Sequence, residues 1–454
     1  MKQLHKSKRA YQQTMRKMVP SIFIAMLATG LGFLSLYISP VPMIQDFGSM
    51  LTIGIIVSFI VATLILLPLL FIRDNHFKKE EVKPNKTKKQ SNNNGIIYRM
   101  TKKLIKFKYV ILILAISSAG VGLYLDQSVG VETDIETFMP QDNNTLDDIH
   151  QLRDLIGSTE QLSIVYEGDV LSEEALAFSK LIEETLPEIY EDEIIEVRTI
   201  NQAINQPLFE ENMTVKERLL TLPESQRKQF INDDYTVATM TVRFNSLETS
   251  ELEAFVDSLT QTINNVQPDD LTVTVTGQAV IDVEMMQGLT TGRYTITLLG
   301  MLAVFIGLLI IYRNPIKAIT PIIPITLIIG WSGAFMYLFG IDYTPLTATL
   351  GALIIGIGTE FTILIMERFE QEKAQQKNTE EAVAVALNKL SKPILASALT
   401  TIGGFSALII SDFQILSNFG IMTVVNLTLA LISTIIIMPG VLVIQSKLTK
   451  KVSY

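Results

Sequence analysis

Eight stretches of this chain, about 18–38, 48–72, 109–125, 295–311, 318–339, 347–366, 393–410 and 419–444, are apolar with almost no charge inside them. Each approaches the roughly 20 residues that a helix needs to cross a hydrocarbon core of about 30 Å. In lipid every backbone N–H and C=O must be bonded, and a run of this length and uniform apolarity does that as a helix. The expected fold class is a polytopic α-helical membrane protein with about eight transmembrane helices.

Charge orients the spans. Of the 46 Asp and Glu, about 34 fall within residues 126–292, against about 8 of the 37 Lys and Arg. Basic loops stay on the cytoplasmic side. That places 126–292 outside the cell membrane and both termini in the cytoplasm. Orientation and lipid headgroups account for the basic residues, and no nucleic-acid partner is expected. With no Cys in the chain, disulfide and thiolate chemistry are excluded. His5, His76 and His150 are far apart in sequence, so neither a metal site nor a cofactor is expected. There is no G-x-x-x-x-G-K-[ST] phosphate loop. Acidic pairs such as Asp269–Asp270 read as solvated surface, and the chain is not expected to be an enzyme.

The composition divides the chain in order. Residues 1–17 form a basic cytoplasmic amphipathic segment, 18–73 a helix pair and 74–108 a basic linker rich in Lys and Asn. A single span follows at 109–125, an extracytoplasmic domain at 126–292, a five-helix bundle at 293–446 and a cytoplasmic tail at 447–454. The stretch 367–392, polar and then amphipathic, is expected to lie along the cytoplasmic face, with the next span starting at Pro393. In the outer domain, alternating β-branched runs (QLSIVYE, EIIEVRTI, YTVATMTVRF, LTVTVTGQAV) are interleaved with helical patterns after Ser172 and after Thr249 or Ser250. The order β-α-β-β-α-β predicts a split βαβ, ferredoxin-like α+β domain, with an insertion at 201–233.

One span carries an acid. In ATLGALIIGIGTEFTILIMERF, Glu360 sits deep in the apolar run, where inserting a carboxylate costs on the order of 3 kcal/mol. Such a group has to face protein or a wet cavity, and it is a candidate for gaining and losing a proton. Gly351, Gly356 and Gly358 let neighbouring helices approach closely, and Gly356 shares a helical face with Glu360. The alternative is a neutral Glu bonded to a Ser or Thr of the next helix, with only a packing role.

Residues 27–50 align without a gap to 399–422. Leu27, Thr29, Gly32, Phe33, Leu36, Ile38, Ser39, Phe47, Gly48 and Met50 match Leu399, Thr401, Gly404, Phe405, Leu408, Ile410, Ser411, Phe419, Gly420 and Met422. Repeated halves are a common way to build a transporter's central pathway. The first copy holds only the last helix pair of such a half, so the chain reads as the C-terminal portion of a larger repeat protein.

The order of helix, split-βαβ domain and five helices, with GIGTEFTILIMERF in the third of the five, resembles the resistance-nodulation-division (RND) superfamily. It is most similar to the hydrophobe/amphiphile-efflux and mycobacterial-membrane-protein-large (MMPL) branch. The pair ALTTIGGFSALIISDFQILSNFGIMTVVN resembles that family's closing helix pair, and the likeness covers nearly the whole chain. In the family an Asp-Tyr pair on the corresponding helix takes up and releases protons. The resemblance therefore implies a proton relay at Glu360, with Phe361 at the aromatic position and Thr359 beside it. Phe361 lacks the hydroxyl of the usual Tyr. The function implied is proton-motive-force-driven transport of hydrophobic or amphiphilic molecules such as lipids and drugs. The implied partners are membrane lipids, the substrate, protons, and a missing N-terminal half or a homo-oligomer, as monomer or trimer of the full transporter. A sterol-sensing-like regulatory protein and an accessory subunit of protein export share this architecture and remain open.

Overall fold

The computed structural model describes residues 12, 15, 16, 18–76, 96–132, 138, 160–205, 213–247, 249–375 and 378–452. Nearly all of the 1–17 segment, the centre of the linker at 77–95, and residues 206–212 of the insertion lie outside them. The chain forms two compact units, Met1–Pro140 with Gly288–Tyr454, and Gln141–Gln287.

The first unit opens with α1 (Val19–Leu34), which tightens into a 3₁₀ turn at Ser35–Ile38. The Ser39 hydroxyl then accepts the Val41 N–H at 3.1 Å and turns the chain into α2 (Pro42–Val61). This helix starts six residues before the expected 48, because Pro42 is in its first turn, where a missing N–H leaves nothing unpaired. A π-turn, Ala62–Leu66, joins it to α3 (Leu67–His76). Next come the amphipathic α4 (Ile96–Lys106) and the spanning α5 (Lys108–Asp126).

The second unit follows in the order β1 (Gln161–Glu167), α6 (Glu173–Ile189), β2 (Ile194–Arg198), α7 (Ile200–Ile204), α8 (Val215–Thr221), α9 (Glu224–Arg227), β3 (Val237–Phe244), α10 (Thr249–Val266), β4 (Thr272–Thr276) and α11 (Gln278–Gln287). Its sheet has the order β2-β3-β1-β4, every pair antiparallel, with Ile164 opposite both Met240 and Val275. That is the split βαβ topology. Leu162, Ile164 and Tyr166 alternate inward from β1 and pack with Phe178, Ile182 and Leu186 of α6 and Phe255 and Leu259 of α10. Ser172 caps α6 by accepting the Ala175 N–H at 3.2 Å. The described part of the insertion holds α7, α8 and α9, and Thr214 with Glu217 forms a capping box at the start of α8.

The first unit resumes through a π-turn at Gly288–Gly292 into α12 (Arg293–Tyr312), α13 (Pro315–Ile319), α14 (Ile322–Phe339), α15 (Leu350–Gln375), α16 (Thr379–Ser406), α17 (Gln414–Ile436) and α18 (Met438–Val452). Among the described residues, eight helices are long and apolar enough to cross a membrane. The stretch 367–392 is helical almost throughout its described residues, and the helix of the next span begins well before Pro393. α15 continues past Met366 to Gln375, and α16 runs from Thr379 straight through Pro393. The reason is burial: Ala382, Val383, Ala386 and Leu387 pack in the bundle core with Phe369, so the amphipathic run is core-facing helix.

Small residues set the closest helix contacts. A Cβ at Gly122 of α5 would run into the Gly330 carbonyl of α14, and one at Gly330 into the Ala119 carbonyl, so these two backbones touch directly. Trp331 of α14 also donates its indole N–H to Ser118 of α5 at 2.9 Å.

The sequence repeat is a structural repeat. Ser35–Ile38 and Ala407–Ile410 are both 3₁₀ turns, and Ser39 and Ser411 each accept the N–H two residues on. Side chains placed at Gly48 and Gly420 would meet Leu36 Cβ at 2.7 Å and Leu408 Cβ at 2.8 Å. The copies touch through Phe47 and Phe419, whose rings lie edge to face with centroids 5.8 Å apart. They differ in what covers them. Gly32 is packed against Ile355 and the Gly356 backbone of α15, whereas the equivalent Gly404 has nothing within 4 Å of a Cβ. Gly32→Leu should therefore destabilise the protein by about 1–3 kcal/mol through overpacking. Gly404→Leu should be neutral or stabilise it by up to about 1 kcal/mol through helix propensity. Thermal unfolding of the two variants in detergent checks this; equal effects would contradict the packing described.

Candidate functional site

α15 is the most enclosed of the eight spans, and its glycines are the reason. The Gly351 position is filled by the Thr297 hydroxyl of α12, a Cβ at Gly356 would lie 2.7 Å from the Phe33 ring of α1, and one at Gly358 would lie 3.3 Å from Ile325 of α14. Three glycines thus admit three different helices. The Gly356 carbonyl accepts two hydroxyls, from Thr29 at 2.9 Å and from Thr359 at 2.8 Å.

Glu360 lies one turn beyond Gly356 and is half-buried. It is the only acid in the middle third of any of the eight spans. Among the described residues nothing donates to its carboxyl group and no base pairs with it, so the Ser or Thr partner that a packing role requires is not present. Thr359 sits next to Glu360 in the chain, but its hydroxyl is bonded to its own helix at Gly356. Phe361 is buried within the apolar core of the bundle. Adjacent residues are about 100° apart around a helix, so Phe361 and Glu360 face different neighbours.

Two charged clusters bracket the bundle, and neither was anticipated from the sequence. At the end where α5 finishes and α12 begins, Asp126 and Arg293 form a buried ion pair at 3.3 Å. Tyr294 and Tyr343 each donate a hydroxyl to the Asp126 carboxylate at 2.6 Å. The Arg293 guanidinium lies over the Tyr343 ring, 3.5 Å from its centroid, and also donates to the Asp126 carbonyl at 3.2 Å. Burial pushes the Tyr343 hydroxyl well above the usual tyrosine range, which keeps it a donor. Alongside, the chain leaving α5 zips onto the link before α15: Tyr343 N–H donates to the Gly130 carbonyl and Glu132 N–H to that of Tyr343, both at 2.8 Å. At the other end of α15, buried Glu372 pairs with Arg368 at 2.5 Å and Lys389 at 2.8 Å, and Lys317 pairs with Glu370 at 2.9 Å. A signal for the first cluster was available. Arg293 is the only base between Arg243 and Arg313, at the head of one apolar run, and Asp126 closes another. Among so many acids, Asp126 looked like one more solvated residue.

Comparison with known proteins places this architecture. The model of the MMPL family matches residues 1–94 and 157–453. The putative membrane protein MJ1562 of Methanocaldococcus jannaschii is 25% identical over 354 residues, 74% of this chain and 90% of that protein. The sulfolipid-1 exporter MmpL8 of Mycobacterium tuberculosis is 22% identical over 188 residues, 40% of this chain but 17% of its own length. In fold, the structure resembles the hedgehog release protein Disp of the water bear Hypsibius dujardini. The TM-score is 0.67 at 12% identity, covering 97% of this chain and 60% of that one. The chain therefore spans less than two thirds of MmpL8 and of Disp. With a family model matched over both its helix pair and its domain-bearing half, the chain is a multi-pass membrane protein that belongs to the MMPL family of membrane transport proteins.

Proposed function

We propose that the chain works in proton-motive-force-driven transport of hydrophobic or amphiphilic molecules, lipids or drugs, across the cytoplasmic membrane, as the C-terminal part of a larger transporter. The observation that carries this reading is Glu360, a carboxyl group without donor or counter-charge among the described residues, in the most enclosed span. A group so placed has no structural bond to lose on protonation, and its charge state alters the electrostatics of the surrounding helices. MmpL8, matched over two fifths of this chain, is named as an exporter of a sulfolipid, which supports an amphiphilic cargo. In this reading the termini are cytoplasmic, 126–292 is extracytoplasmic, and the partners are lipid, protons and the polypeptide that completes the first half.

Inverted membrane vesicles from cells producing the chain provide the test. Movement of a fluorescent amphiphile across their membrane should stop when a protonophore collapses the proton gradient. Movement that continues unchanged would remove proton coupling and favour a lipid-binding regulator.

A further inference from the structure

The repeat assigns a use to a face of α16 that is bare among the described residues. α1 and the second half of α16 are equivalent helices of the two copies, and α1 packs against α15 more extensively than against any other helix. It does so along a flank of small residues. Ala25 and Ala28 are buried in the bundle core, Thr29 donates to the Gly356 carbonyl at 2.9 Å, and Gly32 lies against Ile355 and the Gly356 backbone. Ser35, three residues on, meets α12 at Gly300, where a Cβ would lie 2.7 Å from its hydroxyl.

The aligned residues of α16 are Ser397, Thr400, Thr401, Gly404 and Ala407. All five are small, as in α1, and they fall on one flank of the helix, within about 120° of one another. Thr401 is half-buried and the other four are exposed. Thr401 donates to the Ser397 carbonyl at 3.0 Å, as Thr29 does to that of Ala25, but among the described residues it has no acceptor on another helix. The opposite flank is different. It presents Leu395 and Leu399, 44% and 57% exposed, large apolar side chains suited to lipid tails. Small residues are found where spanning helices touch, because they let backbones approach. The α16 flank is thus shaped for a helix, and its counterpart on α1 shows which kind of helix lies on such a flank.

We propose that this flank of α16 is the docking face for the polypeptide that completes the first half, and that it receives a spanning helix of the α15 kind. A glycine of that helix meets Gly404, and the glycine's carbonyl accepts the Thr401 hydroxyl, as Gly356 does for Thr29. A second copy of this chain does not offer such a helix, since the Gly356 face of its α15 is already occupied by α1. The proposal rests on the reading of this chain as part of a larger transporter and makes no use of proton coupling.

The test uses the full chain in lipid vesicles and, as probe, a synthetic helix of the sequence 347–368 carrying Ile355→Cys and Glu360→Gln. The chain has no cysteine of its own, so one introduced thiol reports one position. A Cβ at Gly32 lies 3.1 Å from the Ile355 side chain, within reach of a disulfide at the equivalent contact. Under a mild oxidant, Gly404→Cys should bond to the probe about tenfold faster than Gly403→Cys. Both glycines are exposed with nothing within 4 Å of a Cβ, so exposure to lipid alone would make the two rates equal. In a fluorescence-transfer titration with the same probe, Gly404→Leu should weaken binding about tenfold by filling the face. Thr401→Val should weaken it about threefold by removing one interhelical hydrogen bond. Leu399→Ala, on the other flank, should leave binding unchanged. Equal disulfide rates at 403 and 404, or binding unaffected by Gly404→Leu, overturns the proposal. So does preferential bonding of Gly404→Cys between two copies of the chain, which would make the face a contact between copies. If Gly404→Cys does not fold, Thr401→Val decides, and parental binding by it overturns the proposal. Failure of these arms beside protonophore-sensitive transport removes only the docking face. Docking beside transport that a protonophore leaves unchanged removes proton coupling and keeps the face.

Discussion

Glu360→Gln is expected to lower proton-coupled transport by about 100-fold or more, the scale on which loss of a positioned proton-transfer group acts. The fold should survive. The substitution is nearly isosteric, and the carboxyl group has no hydrogen bond or ion pair among the described residues to lose. The thermal midpoint should therefore be equal to or above that of the parent, since a costly intramembrane acid is replaced by a neutral amide. Glu360→Asp keeps a carboxylate on a shorter arm and should retain part of the activity. Phe361→Tyr adds a hydroxyl in a packed apolar core and should not substitute for the acid. A vesicle transport assay beside a melting curve reads both quantities. Full transport by a well-folded Glu360→Gln protein would remove the proposed role.

Asp126→Ala is expected to act in the opposite sense, on stability first. It leaves the Arg293 guanidinium buried without a counter-charge and deprives two tyrosine hydroxyls of their acceptor. Removing one partner of a buried ion pair costs about 3–5 kcal/mol. Replacing both charges by apolar residues, Asp126→Leu with Arg293→Met, should recover much of that loss, because paired buried charges carry a large desolvation penalty of their own. The cycle of two single variants and the double variant, measured by unfolding in detergent, gives the coupling. If Asp126→Ala unfolds like the parent, the cluster is not a structural joint.

How far the sequence could be read differs by feature, for physical reasons. The eight spans and the four strands were legible because hydrophobic length and alternation are local properties. The boundary of α2 and the continuity of α16 through Pro393 were not, since each depends on what the segment packs against. Pro42 opens a helix where 48 was expected, and Ala382–Leu387 are helical core because Phe369 is there to meet them. Glu360 stood out as a charge in an apolar run. Asp126 and Arg293 did not, because 167 residues separate them and each sits at a boundary where charge is ordinary. The repeat was legible as matched letters, but not the fact that Gly32 is covered and Gly404 is bare.

The contact of α5 with α14 has a mechanical consequence. Where carbonyl meets glycine there is no side chain to change rotamer, so the pair can part but cannot slide a little and repack. The Asp126–Arg293 ion pair closes the same contact at its end. Any displacement of α15 has to be taken up elsewhere, and the two π-turns, at Ala62–Leu66 and Gly288–Gly292, mark where the helical ladder is already loosened. Stiffness in this bundle is unevenly distributed, and the second π-turn adjoins Arg293, where the chain re-enters the bundle.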